Sequence, residues 1–135
     1  MPLVSRAFVL TGLLYLVAAM ALGVSLGSGG LGVAQVSIPY PVYVHLLAVG
    51  WLTQLIFGVA YWMFPGRPRK PSAVERVTVW SVYLSLNAGL LLRSVAEPML
   101  GRAGPWPVLL AIAALAQLLA VLLFVAHLWP RVAAR

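Results

Sequence analysis

The polar chemistry of this sequence is concentrated in a few side chains. There are 2 histidines, His45 and His127, and 2 acidic residues, Glu75 and Glu97, with no cysteine. Imidazole is the commonest metal ligand and the side chain that exchanges protons near neutral pH. Arg93 and Glu97 are four residues apart, the spacing at which two residues share a helix face and pair. A guanidinium also grips carboxylates through a two-pronged fork, so Arg93, and Arg102 beyond it, are candidate clamps for an anionic group. Met20 and Met99 carry thioethers able to complete a histidine–methionine ligation of haem iron. The residue types that are missing exclude other chemistry. Both acids are glutamates, so no serine–histidine–aspartate set exists, and no thiolate can act as nucleophile or ligand. The GSGG run at 27–30 has no lysine after it and does not read as a phosphate loop.

The elements that must position these residues follow from composition. Hydrophobic residues are 63% of the 135 and charged residues 8%, against roughly a quarter charged in an ordinary soluble domain. So few charges exclude a disordered chain and are too few to cover a soluble globule. The class that remains is an integral membrane protein. A helical span takes about 20 apolar residues, and spans are predicted at 7–27, 42–64, 77–96 and 107–129. The fold class expected is therefore all-α, a single-domain four-helix bundle in the membrane. The first apolar run is longer than the roughly 7–15 residues of a secretory signal, so it is expected as a retained helix. Pro39, Pro41, Pro65 and Pro68 bracket the second span and Pro130 is expected to stop the fourth. Tyr40, Tyr43, Trp62, Trp80, Trp106 and Trp129 fall near predicted span ends, where aromatic belts form.

Charge sets the orientation. With four spans both termini lie on one side, together with the loop between spans two and three. That side carries Arg6, Arg67, Arg69, Lys70, Arg76, Arg131 and Arg135, leaving only Arg93 and Arg102 of the 9 cations opposite. The positive-inside rule then places both termini in the cytoplasm, in a cell (inner) membrane. These cations flank spans, so anionic lipid is the expected partner and nucleic acid is not. His45 and Arg93 fall at similar depth near the outer face. His127 falls at the inner end, about 30 Å away, so the two histidines cannot meet in one chain. His127 is expected as an interfacial residue whose tip reaches headgroups or a helix-end carbonyl. On span two, Gly50, Gln54, Gly58 and Tyr61 form one stripe suited to close helix packing. His45, Val49, Leu52 and Ile56 form another, about 140° away in α-helical projection.

The run from His45 through Gly50-Trp51, Gln54, Ile56-Phe57-Gly58 and Tyr61 to Pro65 resembles the second transmembrane helix of subunit I in the haem–copper oxidase and nitric oxide reductase superfamily. It is also similar to small four-helix membrane proteins related to that subunit, which commonly carry H-x-H-L-x-x-x-G-W; here Tyr43 stands at the first histidine and His45 at the second. The resemblance covers under a fifth of the chain. It implies that His45 is an axial ligand of a low-spin haem. The second haem histidine and the copper histidines belong to helices that have no counterpart here, so reduction of oxygen or nitric oxide by one chain is not expected.

The expected function is a membrane haem protein for electron transfer or for gas or haem sensing. His45 would hold a b-type haem, with propionates near Arg93 or Arg102 and a redox partner of unknown kind. The twelve helices of the subunit this chain resembles form three arcs of four, so the resemblance, with one well-placed histidine in a chain one arc long, suggests self-association, as a trimer rather than a dimer. Two His45 side chains would then share an iron, or three would hold copper or zinc. The competing expectation is a cofactor-free accessory or scaffold subunit.

Overall fold

The computed structural model describes residues 2–27, 40–64 and 72–133. These form four helices and no strand. Helix α1 is Leu3–Gly27, α2 is Tyr40–Met63, α3 is Ala73–Ala96 with a 3₁₀ turn at Glu97–Met99, and α4 is Trp106–Ala133. Each is long and apolar enough to cross a membrane. Arg67, Arg69, Lys70 and Arg135, Ser28, Gly29 and Gly30 of the GSGG run, and Pro39, Pro65 and Pro68 lie outside the described residues.

Helices α1, α3 and α4 extend beyond their expected bounds by three or more residues. α1 begins at Leu3, before Arg6, whose side chain is exposed. α3 begins at Ala73 because Ser72 and Glu75 cap it reciprocally. The Ser72 hydroxyl accepts from the Glu75 N–H at 3.1 Å, and a Glu75 carboxylate oxygen accepts from the Ser72 N–H at 2.8 Å. This earlier start puts Trp80 two turns inside the helix, edge-on to Tyr83 at 5.7 Å, rather than at its end. α4 runs through Pro130 to Ala133 instead of stopping there. Proline at this position takes one hydrogen bond from the helix, and tertiary contacts of Arg131, described below, hold the last turn.

The helices pack as two close pairs, α1 with α2 and α3 with α4. Each pair has a glycine where its helices approach closely. A Cβ on Gly58 would lie 3.0 Å from Phe8 Cβ and 3.1 Å from the Ser5 carbonyl. One on Gly89 would lie 2.8 Å from the Ala113 carbonyl. The two pairs are joined by an aromatic core of Phe8, Phe57, Tyr61 and Phe124 with Val82, Leu86 and Ala120. Its centre is the Phe57–Phe124 stack, with centroids 3.7 Å apart. Because Ser5 and Phe8 open α1 beside this core and Phe124 closes it from α4, the start of α1 and the end of α4 lie at this end of the bundle, here termed the termini end. At the opposite, distal end the buried cluster is Ala19, Val42, Leu46 and Leu90, from α1, α2 and α3.

Candidate functional site

Helix α2 is not uniform, and its irregularity positions His45. Residues Leu46–Thr53 wind as a π-helix between α-helical Tyr40–His45 and Gln54–Met63. The hydroxyls of Thr11, Thr78, Ser85 and Ser94 bond the carbonyl four residues back. Thr53 bonds Ala48, five back, at 2.8 Å, matching the wider π turn. Within that segment Gly50 accepts Tyr15 and Leu90, which stand 2.9 and 3.0 Å from where its Cβ would be.

The wider turn corrects the two-stripe projection. Gly50, Gln54, Gly58 and Tyr61 are buried and pack within the bundle, while Leu52 and Ile56 are exposed. His45 does not follow Leu52 and Ile56 outward. In a π-helix the bonded turn closes at the fifth residue, so His45 and Gly50 share a side. His45 accordingly turns toward α3.

There it meets a buried ion pair. Glu97, in the 3₁₀ turn, accepts from Arg93 Nε at 2.9 Å through Oε1. The same oxygen lies 3.8 Å from His45 Nδ1, with the glutamate side chain 7% exposed and the histidine 27%. The other oxygen, Oε2, is buried without a hydrogen-bond partner. His45 Nδ1 is 2.7 Å from the Pro41 carbonyl. A carbonyl only accepts, so Nδ1 carries the proton, and in the neutral ring Nε2 keeps its lone pair. Arg93 Nε is committed to Glu97, and its two terminal nitrogens make no hydrogen bond among the described residues. Arg102 stands apart, exposed in the turn between α3 and α4, where its N–H bonds the Met99 carbonyl at 3.1 Å. Met20 is exposed on α1 and Met99 is half-buried beside Glu97 in sequence. Among the described residues, no group of three or more His, Cys, Asp or Glu side chains is arranged to hold a metal ion.

The second histidine joins a different assembly at the termini end. Arg131 Nη2 lies 2.8 Å from His127 Nε2, its Nη1 donates to the Phe64 carbonyl at 3.2 Å, and Nη2 is 3.5 Å from Glu75 Oε1. His127 also packs edge-on to Tyr61, with centroids 5.9 Å apart. His127 was expected to reach headgroups or a helix-end carbonyl; instead it is half-buried and holds Arg131, and the arginine takes the helix-end carbonyl. Glu75 and Glu97 stand at opposite ends of α3.

Between the two ends lies a neutral polar contact. Gln54 Nε2 donates to Asn87 Oδ1 at 3.0 Å, and Asn87 Nδ2 donates to the Tyr83 carbonyl at 2.8 Å. The glutamine was legible as a packing residue of the small stripe. Its partner was not, because nothing in sequence pairs positions 33 residues apart.

These features together define a four-helix protein of membrane-spanning proportions with one histidine–carboxylate–guanidinium cluster at each end. Comparison with family models, with curated proteins and with solved structures finds no match to this chain.

Proposed function

We propose that this is a multi-pass protein of a cell (inner) membrane, with its termini in the cytoplasm, and that His45 is an imidazole ligand of haem iron. Its role on this reading is electron transfer or the sensing of haem or a diatomic gas. The observation that carries the reading is the hydrogen bond from His45 Nδ1 to Pro41. A ligating histidine characteristically donates its other ring N–H to a carbonyl or carboxylate. His45 does so, and its Nε2 is left as a lone pair at a half-buried position. The donor set fits the group in two further respects. Arg93 keeps two terminal nitrogens for a propionate while Glu97 holds its Nε, and Arg102 adds an exposed cation near the same end. Haem, when bound, would supply a one-electron couple or an open coordination position.

One imidazole per chain at the distal end supports a shared site. The second ligand would then come from His45 of another copy, with a trimer favoured over a dimer. The test is the visible spectrum of the native protein, oxidised and reduced, beside His45→Ala. A Soret band that is lost in the variant is expected. Protein that stays colourless after haem loading, or a band indifferent to His45, overturns the reading.

A second reading is a cofactor-free accessory or scaffold subunit. Arg93 and Glu97 already neutralise one another, which favours it. Copper or zinc held by three converging His45 side chains is a third, and metal analysis of the purified oligomer separates it from the others.

A further inference from the structure

Arginine cannot accept a hydrogen bond. The 2.8 Å contact between Arg131 Nη2 and His127 Nε2 therefore requires the histidine nitrogen to be the acceptor, so His127 is neutral with its proton on Nδ1. This contact belongs to a junction of three helices. Arg131 on α4 reaches the carbonyl of Phe64, the residue just past the end of α2, and approaches Glu75, which itself caps the start of α3. A helix leaves its last carbonyls without internal donors, and a guanidinium is a fitting external one.

We infer that His127 and Arg131 form a proton-released latch that fastens the end of α4 to α2 and α3. When His127 takes a proton, Nε2 becomes a donor and its bond to Arg131 is lost. Two cations would then stand at hydrogen-bond distance with one carboxylate, Glu75, between them, and that carboxylate is 41% exposed and already engaged by the Ser72 N–H. Arg131 is the group that can leave. It sits directly after Pro130, where the helix lacks the bond that the Pro130 nitrogen would have made to Ala126. The last turn of α4 thus lacks one backbone hydrogen bond and is held as well through Arg131, by Phe64, Glu75 and His127. Releasing Arg131 frees that turn from the end of α2.

Among the described residues, the groups facing His127 are Arg131 of its own helix, Glu75 of α3 and the Tyr61 ring of α2. Arg76 of α3 and Arg6 of α1 are exposed, and neither bonds to it. His45 is at the distal end, so the latch does not depend on haem or on the function proposed above.

The chain has no cysteine, which permits paired spin labels at the exposed positions Met63→Cys and Val132→Cys in the full chain, in lipid nanodiscs. Between about pH 8 and about pH 5, the range in which histidine titrates, the short-distance population should give way to a longer one. Below the midpoint it should fall about tenfold per pH unit, as release by one proton requires. In His127→Gln, whose amide oxygen still accepts from Arg131, the short distance should persist at every pH. In Arg131→Leu the long distance should appear throughout. A wild-type distance that does not respond to pH overturns the latch, as does a response that survives in His127→Gln. A second measurement uses the unlabelled native chain. Its histidine ¹⁵N spectrum at about pH 8 should place the His127 proton on Nδ1, and a proton on Nε2 overturns the proposal.

Discussion

The two ends of the bundle use the same three residue types and obtain different chemistry from them. At the distal end the carboxylate is buried, the arginine is tied to it through Nε, and the histidine donates to a backbone carbonyl. At the termini end the carboxylate is half-exposed, the arginine is shared among three acceptors, and the histidine is itself an acceptor. The first arrangement leaves an imidazole lone pair directed away from its partners and suited to a metal. The second uses the lone pair internally, so it responds to protons. Identity of residue type therefore says little; the hydrogen-bond role of each ring nitrogen decides which histidine can be a ligand.

The sharpest way to break this comparison is to remove one arginine at each end. Arg93→Leu strands Glu97, whose Oε2 is already buried without a partner, and should cost about 3–5 kcal/mol of unfolding free energy in detergent. Adding Glu97→Leu should recover most of that loss, and a double variant no better than the single one would show that the buried charge is not the cause. Overpacking between the ends comes next. Gly89→Val meets the Ala113 backbone at 2.8 Å and should cost about 1–3 kcal/mol, read from the shift in thermal or denaturant midpoint. Arg131→Leu should cost less than Arg93→Leu, because the Glu75 it leaves behind is half-exposed and can be solvated by water. A loss as large as that of Arg93→Leu would erase the distinction between the ends. Smallest is Gln54→Leu, where the interhelical hydrogen bond to Asn87 is worth about 0.6 kcal/mol within a membrane. Unfolding measurements on Gln54→Leu, Asn87→Leu and the double variant isolate that coupling.

Much of the architecture was legible because hydropathy reports it directly. Four apolar runs of spanning length became four helices, and the Gly50–Gln54–Gly58–Tyr61 stripe turned inward, its glycines admitting close helix approach and Gln54 bonding across to Asn87. The earlier start of α3 was also legible, in the Ser72-x-x-Glu75 pattern, although hydropathy alone placed it at Val77. The continuation of α4 past Pro130 was not, since the groups that hold Arg131 come from α2, α3 and an earlier turn of α4. At the distal site, the Arg93–Glu97 pair followed from four-residue spacing. The approach of His45 to that pair did not, because an α-helical wheel sends His45 toward the exposed stripe and only the π segment brings it back.

Sequence alone determined the all-helical class, the number of helices long and apolar enough to cross a membrane, the scarcity of ionisable groups and their separation into two ends. Those properties depend on composition and on distance along a helix of fixed rise, which are local. Tertiary structure decided the rotation of His45, the acceptor role of His127, the burial of Glu97 and the pairing of Gln54 with Asn87. Each depends on which backbone carbonyl or side chain from another turn or helix occupies the last few ångströms. Hydrogen bonds are specific at that range, and a one-dimensional pattern does not encode it.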